Sequence, residues 1–118
     1  MNIYIFFFFL IAFPPEAPKL LNNETTQLSN RFFLLRWESS GNNGRPIYRF
    51  FVWYRNSSKE SWAKKDVNLT NSYNKTLQWA TSYEFAVTAE NDQGGSAKSN
   101  KVNVTVLPRK SAFITSCS

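Results

Sequence analysis

Leu77-Gln78-Trp79-Ala80-Thr81-Ser82-Tyr83-Glu84-Phe85-Ala86-Val87-Thr88-Ala89-Glu90-Asn91-Asp92-Gln93-Gly94-Gly95-Ser96 is the stretch on which the fold turns. From Tyr83 the residues alternate, so that Tyr83, Phe85, Val87 and Ala89 share one face while Glu84 and Glu90 share the other. A side-chain period of two belongs to a β-strand, because successive Cβ atoms point to opposite sides of a sheet. Ala80-Thr81-Ser82 bends the chain before this strand, and Asn91-Asp92-Gln93-Gly94-Gly95 turns it afterwards.

The same pattern extends outward in both directions. Residues 31–38 alternate, with Phe33, Leu35 and Trp37 on one side and Phe32, Leu34 and Arg36 on the other. Ser39-Ser40-Gly41-Asn42-Asn43-Gly44 is a turn cluster. Residues 47–55 form the next strand, with Phe50, Val52 and Tyr54 facing the core, and a short strand is expected over residues 62–67. Val102, Val104 and Val106 line the inner face of the last strand. Upstream, Pro14-Pro15-Glu16-Ala17-Pro18 is an extended lead-in that cannot join a central strand. No helix-period stretch and no internal repeat occurs. The spacing predicts an all-β chain folded as a two-sheet antiparallel sandwich of about seven strands. Its expected core is Leu20, Phe33, Leu35, Trp37, Ile47, Phe50, Val52, Tyr54, Leu77, Tyr83, Phe85, Val87, Ala89, Val102 and Val104. The domain is expected over residues 14–107, with residues 1–13 as an apolar leader or a gene-model artefact and residues 108–118 as a tail.

A chain of 118 residues fits one domain, and eleven Phe and four Trp are enough to fill a two-layer core. Histidine is absent, which removes the commonest general base and a common metal ligand. The one cysteine, Cys117, cannot form a disulfide within the chain, and no phosphate-cradling GxxxxGK[ST] run occurs. Glu84, Glu90 and Asp92 read as a solvated face and turn rather than as an acid–base pair. No catalytic residue, metal site or cofactor is expected, and the chain reads as a protein that is not an enzyme.

Taken in order, these residues resemble the fibronectin type III pattern from about Pro14 to Val106. The carriers are the Pro-Pro-x-x-Pro lead-in, Trp37, Gly44-x-Pro46-Ile47, Leu77 with Tyr83, and Phe85-x-Val87-x-Ala89-x-Asn91-x-x-Gly94-x-Ser96. The resemblance implies an immunoglobulin-like sandwich in which Trp37 is buried and Leu77 and Tyr83 form a tyrosine corner, the Tyr hydroxyl bonding back to the backbone. The run Trp79-x-x-x-Tyr83-Glu84-Phe85-x-Val87-x-Ala89-x-Asn91 is similar to one in contactin- and neuroglian-type cell adhesion molecules, as are Gly44-Arg45-Pro46-Ile47 and Trp62. Gln78 and Ala86 depart from that subfamily, which has Pro and Arg there. No Arg-Gly-Asp occupies the last hairpin loop and no Trp-Ser-x-Trp-Ser run is present, so the integrin and cytokine-receptor activities of some relatives are not carried over.

Five Asn-x-Ser/Thr sequons, at Asn23, Asn56, Asn68, Asn74 and Asn103, point to glycosylation and an extracellular or cell-surface location reached by the secretory pathway. The apolar residues 3–13 are too short to span a bilayer. They fit a signal-peptide core, although no basic residue precedes them. Their four consecutive Phe equally fit translated intron sequence at an exon edge. Membrane association is expected only through parts outside this sequence.

Two surfaces remain as candidate contact sites. Phe51 and Trp53 alternate away from the core, and together with Trp62 they read either as anchors for a partner protein or as a patch covered within the domain. Arg31, Arg36, Arg45, Arg49, Arg55, Lys59, Lys64 and Lys65 concentrate positive charge in a chain of net charge +6. The first reading is therefore a protein-binding module of an adhesion protein, contacting other cell-surface proteins or spacing neighbouring immunoglobulin and fibronectin domains. The alternative is a receptor or matrix domain binding heparin-like sulfated polysaccharide. No nucleic-acid partner is expected.

Overall fold

The computed structural model describes residues 13–56 and 60–110. Most of the apolar leader, Ser57 and Ser58 of the Asn56 sequon, Lys59, most of the tail and Cys117 lie outside the described residues. Among the described residues nine strands follow in order: β1 (Lys19–Leu20), β2 (Thr25–Leu28), β3 (Phe32–Glu38), β4 (Arg49–Arg55), β5 (Ala63–Asp66), β6 (Ser72–Thr76), β7 (Thr81–Asn91), β8 (Gly94–Gly95) and β9 (Val102–Val106). Seven of them have four residues or more. They form two sheets, β1-β3-β6 and β2-β9-β7-β4-β5, with β8 hairpinned onto β7. All pairs are antiparallel except β2 with β9, which run parallel from Thr25 opposite Asn103 to Leu28 opposite Val106.

Alternation decides which residues meet. Every second residue of β3, namely Phe33, Leu35 and Trp37, is buried, and the residues between them are exposed. They pack against Phe50 and Val52 of β4, Phe85 and Val87 of β7, and Val102 and Val104 of β9. Phe33 meets Phe85 with ring centroids 4.9 Å apart, and Trp37 meets Phe50 at 5.9 Å. Offset or tilted aromatic pairs at such distances add to the benefit of area burial. Ile47 and Tyr54 are only half-buried at the margin of this core, where the Lys75 ammonium lies 4.3 Å from the Tyr54 ring. Val67 and Val106 join the core, and Ala86 is fully buried although it sits on the opposite face of β7.

The connections are pinned by local hydrogen bonds. The Tyr83 hydroxyl accepts from the Gln78 N–H at 2.9 Å, next to buried Leu77, and closes the β6–β7 corner. Ala80 turns that corner in the left-handed region, at φ 54°, where a side chain costs energy. Asn91 is buried, donating to the carbonyls of Phe13 at 2.8 Å and Asn42 at 3.0 Å and accepting from Gln93 N–H. One side chain thus ties the lead-in, the β3–β4 loop and the β7–β8 turn together.

Candidate functional site

The outer face of the larger sheet carries Phe51 and Trp53, and its layout follows from register. Arg49 stands opposite Glu90, Phe51 opposite Thr88, Trp53 opposite Ala86 and Arg55 opposite Glu84 across β4–β7. On the other flank Phe51 pairs with Asp66 and Trp53 with Lys64 of β5. Directly opposed residues share a face, so these side chains form four rungs. The outer rungs are ion pairs. Arg49 reaches Glu90 at 2.8 Å and Asp66 at 3.2 Å, and Arg55 reaches Glu84 at 2.8 Å. The Tyr48 hydroxyl also donates to Glu90, and this bond, ahead of the nearby Arg49, holds the Glu90 carboxyl below the usual carboxylate range. Asp66 is held low first by the Asn68 N–H and then by Arg49.

Between the ion pairs, cations alternate with rings. Arg49 lies 5.2 Å from the Phe51 ring centre, and Lys64 lies 4.5 Å from Phe51 and 5.2 Å from Trp53. Lys98 continues the series at 4.4 Å from Trp53 and 5.6 Å from Trp62, and Arg55 closes it at 4.1 Å from Trp62. Ring faces attract cations within about 6 Å. Trp53 Nε1–H donates to the Thr88 hydroxyl at 2.9 Å. Phe51, Trp53 and Trp62 are consequently half-buried beneath aliphatic stems and charged heads of the domain's own side chains. That cover explains the burial of Thr88 and Ala86 on an outer face. The outer surface of this face thus combines charged side chains with half-buried rings.

The basic run divides in two. Arg45, Arg49 and Arg55 are each matched by a carboxylate, Arg45 by Asp92 at 3.4 Å. Among the described residues every ion pair uses arginine, and the lysines instead stack on rings or face solvent. Glu84 and Glu90, expected as a solvated face, are the partners of arginines. Lys98 and Lys101, which lies 5.9 Å from Trp62, belong to this surface, though sequence reading did not place them there. Nothing local signals it, because they reach the tryptophans from the segment between β8 and β9.

All five sequon asparagines are exposed. Asn23 lies between β1 and β2, Asn56 just after β4, and Asn68 after β5 with φ 58°. Asn103 points outward from β9 because Val102 and Val104 point inward. Asn74, expected in or beside a loop, is inside β6, a strand whose polar residues conceal its alternation. Among the described residues no group of three His, Cys, Asp or Glu side chains is placed to hold a metal ion. No described helix is long and apolar enough to cross a membrane.

Comparison with known proteins agrees with this architecture. The sequence pattern of the fibronectin type III domain matches residues 16–105. The chain is 28% identical over 105 residues to the cell adhesion molecule DSCAM of Gallus gallus, covering 87% of this chain but 5% of that protein. Among solved structures, the twitchin kinase region from C. elegans superposes with a TM-score of 0.66 at 22% identity, covering 84% of this chain and 18% of that one. Domains A168–A170 of titin superpose at 0.61 with 25% identity, covering 82% of this chain and 32% of theirs.

Proposed function

The chain belongs to the fibronectin type III family, and from that premise we propose that it serves as a non-catalytic, protein-binding module of a cell-surface adhesion protein, exported through the secretory pathway. Its likeness to an adhesion molecule supports the setting. The observation that carries the binding role is the outer face of β4, β5 and β7. There Phe51, Trp53 and Trp62 are half-buried, with the charged heads of Arg49, Arg55, Lys64 and Lys98 stacked over their rings. Tryptophan and arginine are among the residues that concentrate binding energy at protein interfaces. The partner that fits is another protein presenting carboxylates around an apolar patch, either a neighbouring domain or a second cell-surface protein. Matching of Arg45, Arg49 and Arg55 by carboxylates weighs against heparin-like polysaccharide, since it neutralises three of the eight residues of the basic run.

The rings belong to the domain's own packing, so the informative variants lie in the charged roof. Lys64→Glu with Lys98→Glu in the full-length protein is expected to weaken association between protein-coated beads about tenfold or more. Thermal stability should fall only slightly, and Lys19→Glu on the opposite sheet should change nothing. Unchanged association in the double variant would overturn the reading. Loss of heparin retention without loss of protein association would favour the polysaccharide instead.

A further inference from the structure

The smaller sheet leaves an apolar stripe in water. Phe32 is 74% exposed and Leu34 44% exposed on the outer face of β3. Across the ladder, Leu34 stands opposite Asn74 and Phe32 opposite Thr76, the first and last residues of one sequon. The backbone shows which kind of pairs these are. Arg31 and Trp37 address the β6 side, through Arg31 O accepting from Leu77 N–H and Trp37 N–H donating to Asn71 O. Leu34 O and Arg36 N–H address the opposite side, bonding to the Asn22 side chain. Even-numbered residues of β3 therefore make non-hydrogen-bonded pairs with β6, in which the side chains come closest. Tyr73 packs on the core and Lys75 on the Tyr54 ring, which leaves Asn74 and Thr76 on the outer face with Phe32 and Leu34.

We propose that the N-glycan of Asn74 folds back onto Phe32 and Leu34 and is the cover of this stripe. A depression of about 240 Å³ lined by Phe32, Phe33, Asn74, Lys75 and Thr76 lies where the first sugar leaves the asparagine. It meets a second, of about 330 Å³, at Phe32 and Thr76, and that one runs on to Trp79, Asn30, Arg31 and Arg109. An N-acetylglucosamine ring has one face of C–H groups, whose positive edges suit the negative face of a phenyl ring. Its hydroxyls and acetamido group suit the amide and guanidinium groups beside it. The tether makes the contact intramolecular, so a weak attraction per sugar suffices. With the glycan seated, this face is closed to proteins, and the cationic face of the other sheet remains open.

The inference rests on the secretory reading above, and the test separates the two. The full chain is secreted from eukaryotic cells, with and without Asn74→Gln, in the natural background and with Phe32→Ser. Glycopeptide mass spectrometry reads occupancy at each sequon, and thermal unfolding reads the contact. Loss of the Asn74 glycan should lower Tm by about 2–4 °C when Phe32 is present and by much less with Phe32→Ser. An equal loss in both backgrounds overturns the inference. So does an empty Asn74 beside glycosylated Asn23 or Asn103, which leaves the secretory reading standing. Absence of glycan from all five sites overturns both. Phe32 is exposed, so Phe32→Ser leaves the core intact.

Discussion

Trp37 sits between the sheets with its ring against Phe50, and its Nε1–H finds no acceptor among the described residues. A buried donor without a partner loses its water for nothing in return. Two truncations should therefore differ by more than size. Trp37→Ala is expected to cost about 3–5 kcal/mol in urea unfolding, the range for emptying a large aromatic site. Trp37→Phe should cost less than half of that, because the unpaired N–H leaves with the indole. Glu90 offers a second handle. Its carboxyl is held below the ordinary range by the Tyr48 hydroxyl and then by Arg49. A lowered folded-state pKa means fewer protons bound in the native chain than in the unfolded one. The stabilisation is thus complete above the ordinary carboxylate range and is lost as pH falls through the folded value. Tyr48→Phe should lower Tm at pH 7, and the gap to the natural protein should narrow as the pH is taken toward 2.5.

At the scale of the element, what could be read locally was the strand that buries one face. β3, β4, β7 and β9 announce themselves by alternation, and their inner residues make up most of the core. β6 does not, because its inward residues are Tyr73 and Lys75, and a lysine lying along a tyrosine ring carries no apolar signal. β2 is hidden for a related reason. Thr25, Thr26 and Gln27 are polar, and the partner that makes them a strand lies far along the chain. The candidate surface was half legible. Period two sends Phe51 and Trp53 outward, but the roof over them needs the β4–β7 register and a lysine from beyond β8. Ala86 shows the limit from the other side, since its burial on an outward-facing position follows only from that roof.

The whole molecule presents two unlike outer faces. One is a lattice of arginine–carboxylate pairs and stacked lysines, and the other pairs an apolar stripe with a glycosylation signal. Joining the two halves of the chain is the parallel contact of β2 with β9. Glu24 O accepts from Asn103 N–H at 2.8 Å and Leu28 O from Leu107 N–H at 2.9 Å, so even-numbered residues of β2 address β9. Thr26 therefore lies in the middle of that ladder. Suppose the chain is tugged from both sides, as an adhesive tether is when cells part. The early segment is drawn one way and the late segment the other. Two strands running in the same direction then slide lengthwise, and their hydrogen bonds strain together instead of opening one at a time. Short as it is, this contact is expected to act as the mechanical latch of the domain. Thr26→Pro removes one donor from it and is expected to cost about 1–3 kcal/mol at equilibrium. Its larger effect should appear under load, as a clear drop in rupture force when single chains are stretched, because forced rupture reports the unfolding barrier.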